Sequence, residues 1–169
     1  YMLEQYGSKY RYIWVINDKK AKIPGNPIKV KRFSYRYFYY FARSKYWVSN
    51  MRQPIWMEKH KETVFLETWH VNPLTQLVFE MEDVHSASPS YKAQFYAQSR
   101  DWDYLVSDNR FSTDVFERAF LFDKNKILEY GYPRNDILYK EDRTIIANEI
   151  RKRLGIPDEK KTILYAPTW

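Results

Sequence analysis

Apolar residues fall in short runs along this chain, and the period of the runs changes. Tyr10-Arg11-Tyr12-Ile13-Trp14-Val15-Ile16 is aromatic and β-branched and predicts a strand. Ile28-Lys29-Val30-Lys31 alternates apolar with basic, a short strand with one wet face. Tyr46-Trp47-Val48-Ser49 and Tyr104-Leu105-Val106 predict two more. Thr63-Val64-Phe65-Leu66-Glu67-Thr68 is mostly apolar, as in a buried parallel strand. Ile127-Leu128-Glu129-Tyr130 predicts a strand ended by Gly131, and Thr162-Ile163-Leu164-Tyr165-Ala166 predicts a last one. Helical stretches lie between. Residues 1–7 read as a helix end stopped by Gly7, and Tyr35 to Arg43 as a helix. A short helix is expected after Pro73, to about Glu80. Another starts near Ser88-Pro89, with Ser as cap and Pro at the first helical position. Ser112-Thr113-Asp114 opens a helix to about Phe120. Pro133 and Asp136 begin helical turns, and Glu141 to Leu154 is a longer helix closed by Gly155 and Pro157. Strands alternating with helices predict an α/β fold, a Rossmann-like parallel sheet with helices on both faces.

Length and composition narrow the class. The 169 residues fit one domain and suffice for a sizeable core. The chain has no cysteine, which excludes a disulfide framework, a thiolate metal site and a Cys nucleophile, and fits a reducing cytosol. Charge is unevenly spread. Residues 1–61 carry 14 Lys/Arg against 3 Asp/Glu, a net of +11, whereas residues 62–169 carry 14 against 18, a net of −4. Such asymmetry points to an anionic partner for the first third, or to a solvated basic face. No apolar run approaches the roughly 20 residues that span a bilayer. The opening Tyr1-Met2-Leu3-Glu4-Gln5-Tyr6 lacks the basic-then-apolar pattern of a signal peptide, and without a start methionine the chain reads as part of something longer.

In open parallel sheets, ligands bind at the carboxyl ends of the strands. Three polar clusters follow apolar runs there: Glu67 to Pro73, Ser107 to Thr113, and Gly131 to Asp136. His70 is the only histidine at such a strand end. An imidazole, with an ordinary pKa of about 6.5, suits a general base near neutral pH; it also suits a residue that merely orients a loop. His60 lies in a charged loop. Glu82 and His85 are too loosely spaced to argue for a metal, so none is expected. Arg134, between Pro133 and Asn135-Asp136, reads either as a phosphate contact in a rigid turn or as an ion pair with Asp136.

The segment Phe33 to Trp47 is the densest in aromatics. On a helix Tyr37, Tyr40 and Phe41 share a face, and Arg36 and Arg43, seven apart, can share a polar side. Such a helix can lie in a membrane interface, rings at headgroup depth and arginines on anionic lipid. The same spacing suits a core helix covering the sheet. A nucleic-acid module is a third reading, through stacking and phosphate contacts, but no RNP-like, KH-like or helix-turn-helix signature supports it, and no nucleic acid is expected. There is no Gly-rich phosphate loop, no G-x-S-x-G elbow and no H-E-x-x-H.

Six segments together resemble one known family. They are Phe65-Leu66-Glu67-Thr68-Trp69-His70, Met81-Glu82-Asp83-Val84, Trp102-Asp103-Tyr104-Leu105, Phe116-Glu117-Arg118-Ala119-Phe120, Gly131-Tyr132-Pro133-Arg134-Asn135-Asp136 and Ile163-Leu164-Tyr165-Ala166-Pro167-Thr168-Trp169. Their order and spacing, from near Tyr1 to Trp169, resemble the CDP-glycerol:poly(glycerophosphate) glycerophosphotransferases, the teichoic acid primases and polymerases. The resemblance implies a GT-B fold, in which two Rossmann-like domains face each other. Residues 1–160 would be the acceptor-side domain without its first strand, and residues 161–169 the start of the donor-nucleotide domain. It implies transfer of glycerol phosphate, or ribitol phosphate, from CDP-glycerol or CDP-ribitol to a lipid-linked polyol-phosphate acceptor. The setting would be cytoplasmic, peripheral on an anionic membrane surface, with no cofactor and with room for a homo-oligomer. The fragment alone would be inactive. The family's T-W-H maps onto Thr68, Trp69 and His70, with His70 as general base. Trp69, Asn72, Arg134, Asn135 and Asp136 would bind acceptor or phosphate. Where the family continues G-T-P-L-K, this chain has Val71-Asn72-Pro73-Leu74-Thr75. A glycine, free to take positive φ, becomes Val71, and a lysine suited to phosphate becomes Thr75. These changes open a second reading, a non-catalytic relative that binds membrane or polymer as a scaffold; retention of His70 and Arg134 speaks against it.

Overall fold

The computed structural model describes residues 2–18, 20–82, 88–139 and 142–166. The elements run α1 (Met2–Tyr6), β1 (Ile13–Val15), β2 (Ile28–Val30), α2 (Tyr35–Arg43), β3 (Tyr46–Ser49), β4 (Val64–Glu67), α3 (Tyr91–Ser99), β5 (Tyr104–Ser107), α4 (Arg110–Ala119), β6 (Ile127–Glu129) and α5 (Arg143–Leu154). Every strand pairing is parallel. β1 pairs with β2, Ile13 opposite Ile28. The other four strands form one sheet in the order β3-β4-β5-β6. The α/β expectation and its parallel sheet are borne out. The chain divides into two compact units, residues 1–130 and 131–169.

The core of the first unit follows from the strand period. On β4, Phe65 and Glu67 share one face and are both buried. Phe95 of α3 and Phe116 of α4 close over Phe65, with Trp102, Leu105 and Phe120 beside them. α4 buries residues 112, 113, 115, 116 and 119, a helical stripe. Each large aromatic buried this way contributes about 1.5–3 kcal/mol. At the amino ends of the strands, Asp103 binds β4 to its neighbour: its Oδ2 accepts the Phe65 N–H at 2.7 Å and Lys59 Nζ at 2.9 Å. The sheet face bearing Tyr46, Val48 and Tyr104 is more open, and Tyr10 reaches Tyr46 edge-on, 6.0 Å between centroids.

α2 runs over the residues its pattern predicts. Ser34 caps it, its Oγ accepting the Tyr37 N–H at 3.3 Å. Of the proposed membrane set, Tyr37, Tyr40 and Phe41 turn inward. Tyr37 is 3% exposed and packs with Val30 and Met57, and Phe41 lies 3.7 Å from the Trp47 ring. The core-helix reading holds for that face, because β2 and β3 flank α2 and need an apolar cover. Arg36 and Arg43 stay exposed.

Several boundaries move. α3 starts at Tyr91, since the Tyr91 N–H closes a turn onto the Ser88 carbonyl before the helix begins. α4 starts at Arg110, because Asn109 is the cap: its Oδ1 accepts the Ser112 N–H at 2.9 Å. The helix expected after Pro73 is one 3-10 turn, Val78–Glu80, preceded by extended Leu77. Residues 162–166 form no strand; Ile163, Leu164 and Tyr165 are over 85% exposed, and a strand needs a neighbour to satisfy its backbone. Gly155 at φ 65° closes α5, its N–H on the Lys152 carbonyl and that of Ile156 on the Arg151 carbonyl, as expected. Asp83, Val84, His85, Glu141 and Pro167-Thr168-Trp169 lie outside the described residues.

Candidate active site

β4 ends at Glu67, and the next three residues carry the chemistry. The Thr68 N–H donates to the Ser49 carbonyl at 2.7 Å, with Thr68 Oγ1 on the same oxygen at 3.2 Å. The loop is thereby tied to the carboxyl end of β3. Trp69 then takes a left-handed backbone, φ 53°. The reversal sends its ring into the core, 4.9 Å from Phe120 and 6.0 Å from Phe95. Trp69 was expected to bind acceptor or phosphate; being 7% exposed, it is instead a core residue under the loop. Its Nε1 has no hydrogen-bond partner among the described residues.

His70 comes out exposed on the other side of that turn. Its ring lies 4.5 Å from the Trp69 ring, and Nδ1 is 2.7 Å from the Asn50 carbonyl oxygen. A carbonyl only accepts, so Nδ1 carries the proton. In the neutral ring Nε2 then has its lone pair free. That is the tautomer a general base needs, fixed by the hydrogen bond at the opposite nitrogen.

Asn72 is exposed in the same loop, its carbonyl accepting the Leu74 N–H at 2.9 Å. Val71 is not in a left-handed conformation; Trp69 is. The valine therefore sits at a backbone position that does not require glycine. Val71→Gly is expected to lower stability by up to about 1 kcal/mol through the looser unfolded chain. A melting curve and a turnover assay check it: the melting point falls and turnover does not rise.

The sequence reading missed what lies beneath the loop. Glu67 is fully buried, at 0% exposure. Oε1 accepts the Trp69 N–H at 3.1 Å, and Oε2 has no partner among the described residues. Burial pushes its carboxyl up to about 8, against which the Trp69 N–H and the Arg52 charge pull only partly. The period of β4 held the signal: Glu67 shares the face of Phe65. The carboxyl ends of β5 and β6 carry a second polar group. Thr113 Oγ1 donates to Glu129 Oε2 at 2.8 Å, so Ser107 Oγ, 2.7 Å away, donates to Thr113. The buried Asp108 Oδ1 and Ser112 Oγ have no partner among the described residues. Two of the three predicted clusters thus sit at strand ends of the four-stranded sheet.

Arg134, Asn135 and Asp136 belong to the second unit, in the 3-10 turns Pro133–Tyr139. The Arg134 guanidinium lies 4.1 Å from the Tyr132 ring centroid, and the Asn135 N–H donates to the Tyr132 carbonyl at 2.9 Å. The ion pairs of the described residues include none between Arg134 and Asp136. No group of three or more metal-ligating side chains occurs among the described residues, nor any helix long and apolar enough to cross a membrane.

Fold and site together define a class: a parallel α/β domain with an oriented imidazole at the carboxyl edge of its sheet. The family model described as CDP-Glycerol:Poly(glycerophosphate) glycerophosphotransferase matches residues 1–169, and the chain belongs to that family. It is 42% identical to the teichoic acid poly(glycerol phosphate) polymerase of Staphylococcus epidermidis, over 99% of this chain and 24% of that protein. It is 42% identical to the protein of the same name from Bacillus spizizenii, over 99% of this chain and 44% of the relative. The solved wall teichoic acid polymerase TagF superposes with a TM-score of 0.88 at 41% identity, covering 99% of this chain and 42% of that one. The chain thus spans less than half the length of these relatives.

Proposed function

We propose that this chain is the acceptor-side part of a transferase that moves glycerol phosphate from a CDP-activated donor to a lipid-linked teichoic acid acceptor. The observation that carries the reading is His70, with Nδ1 bound to the Asn50 carbonyl and Nε2 without a partner among the described residues. His70 Nε2 takes the proton of the acceptor hydroxyl. The oxygen attacks the donor's β-phosphorus, the bond from that phosphorus to the bridging oxygen breaks, and CMP leaves with the electron pair. Such transfer rests on positioning and charge stabilisation. In this reading residues 1–160 form the acceptor domain, residues 161–169 lead into the donor domain, and Arg134, Asn135 and Asp136 bind acceptor or phosphate. The scaffold reading is weakened at Val71, whose backbone does not require the family's glycine.

Glycerol is favoured over ribitol because both polymerases compared carry glycerol phosphate in their names. The full-length protein with a lipid-linked acceptor is expected to release CMP from CDP-glycerol at least about tenfold faster than from CDP-ribitol. No release from either donor overturns the transferase reading.

The same proposal places the protein peripherally on the inner face of the cell membrane. Tyr37 is buried and Tyr40 and Phe41 are partly so, but other rings stand exposed. Phe33, Phe38 and Trp56 are exposed and cluster within 6.3 Å of one another, with the Arg32 guanidinium 4.7 Å from the Phe33 ring centroid. Exposed Arg36 and Arg43 extend the basic surface. Rings and arginines together suit an anionic interface. Replacing Phe33 and Trp56 by Ala is expected to lower binding to anionic vesicles about tenfold or more in a sedimentation assay. Unchanged binding removes this patch from the membrane contact.

A further inference from the structure

Trp69 has to be held where it is. A residue with a Cβ is strained in the left-handed region, and a bulky one especially so. Two contacts oppose relaxation. One is the ring, packed among Phe95, Trp102 and Phe120. The other is Glu67, whose Oε1 accepts the Trp69 N–H across the turn at 3.1 Å. No other side chain among the described residues bonds that amide. On either side the loop is pinned to the end of β3 and the residue after it, through Thr68 to the Ser49 carbonyl and through His70 Nδ1 to the Asn50 carbonyl. The short segment from Thr68 to His70 therefore bridges two fixed points and reverses between them.

The sheet itself has no use for a carboxyl here. Glu67 occupies a core position on the Phe65 face, fully buried, with one oxygen engaged and the other without a partner among the described residues. An apolar side chain would serve packing better, because a buried polar oxygen left unpaired is costly. What an apolar side chain cannot supply is the acceptor for Trp69.

We infer that Glu67 is a positioning residue for His70: its buried carboxyl holds the left-handed turn at Trp69 and thereby sets which ring nitrogen His70 presents. The inference rests on the reading of His70 as general base for its catalytic consequence, but not for its structural one. Without the acceptor, the Trp69 N–H is stranded in the core, the turn relaxes toward negative φ, and His70 leaves the Asn50 carbonyl. Nε2 is then no longer the nitrogen kept free.

The test uses the full-length protein with ring-15N-labelled histidine, and compares wild type with Glu67→Gln, Glu67→Met and Glu67→Asp. Gln keeps the acceptor oxygen. Met matches the length without it. Asp keeps a carboxyl that is one methylene too short to reach, and it serves should the Met variant not fold. The His70 ring resonances report the tautomer, and CMP release gives kcat and KM. In wild type the Nδ1–H tautomer dominates. Met and Asp lose it, and kcat falls about 10- to 100-fold with little change in KM, as expected of a misplaced base. Gln recovers the tautomer and most of kcat. Retention of tautomer and kcat in a folded Met or Asp variant overturns the inference, as does a Gln variant as impaired as Met. Loss of the tautomer with CMP release unchanged supports the positioning role and overturns the base assignment instead.

Discussion

Glu67→Gln makes the protein progressively more stable than wild type as pH rises, by about 1.4 kcal/mol per pH unit between about pH 5 and about pH 8. The physical cause is burial. Buried in the core, with one oxygen unpartnered among the described residues, the Glu67 carboxyl is pushed up to about 8 in the fold, while the unfolded chain releases the same proton near its ordinary value of 4.5. Over that window the folded state holds a proton that the unfolded state has lost. Unfolding releases it, so stability falls as pH rises and levels off above about 8. Stability from this group is fully present below about 4.5. Gln carries no such proton and keeps an oxygen for the Trp69 N–H, so its curve lacks the slope. Denaturation at pH 5.5, 7 and 8.5, read as the difference between variant and wild type, isolates this group from the others that titrate. A constant difference across the three pH values contradicts a buried, neutral Glu67.

His70→Ala is expected to lower CMP release by about 10²- to 10⁴-fold, the range supplied by a positioned general base. The side chain is exposed and, among the described residues, makes one hydrogen bond, to the Asn50 carbonyl, so little of the fold depends on it. Trp69 and Phe120 remain packed beneath the loop. The loss therefore falls on kcat and leaves the melting point nearly unchanged. A parallel drop in stability and binding would mean that the imidazole holds the loop and does no chemistry.

How much of this was legible in the sequence depends on which forces set each feature. The expected bounds of α2 and β3 match the observed ones because their signals are local, the dense aromatics of the helix and the short Tyr46-Trp47-Val48-Ser49 run after it. The existence of β1 to β6 was legible for the same reason. The start of α4 was not: Asn109, Ser112 and Thr113 are all credible caps, and only the extended backbone at Asn109 decides among them. Residues 162–166 have a strand-like composition but pair with no strand among the described residues, which composition does not reveal. The aromatic helix was ambiguous in kind. Its face toward Val30 and Met57 became core, and Phe33 and Trp56, outside the predicted set, are among the exposed rings. At the site, His70 was found from its place after an apolar strand. Trp69 was misassigned because the left-handed turn that folds it inward is set by Glu67, a long-range consequence of burial that spacing does not show. Glu67 is an acid, a type usually exposed, yet its spacing from Phe65 along β4 places it on the buried face.

In the proposed reaction His70 acts as the base in CDP-dependent polyol phosphate transfer. The most direct measurement follows CMP release by the full-length protein from CDP-glycerol with a lipid-linked acceptor, in wild type and His70→Ala, with folding and substrate binding checked in both. The account predicts release by wild type and a loss of at least about 10²-fold in the variant at unchanged binding. Equal release by the two proteins would contradict it.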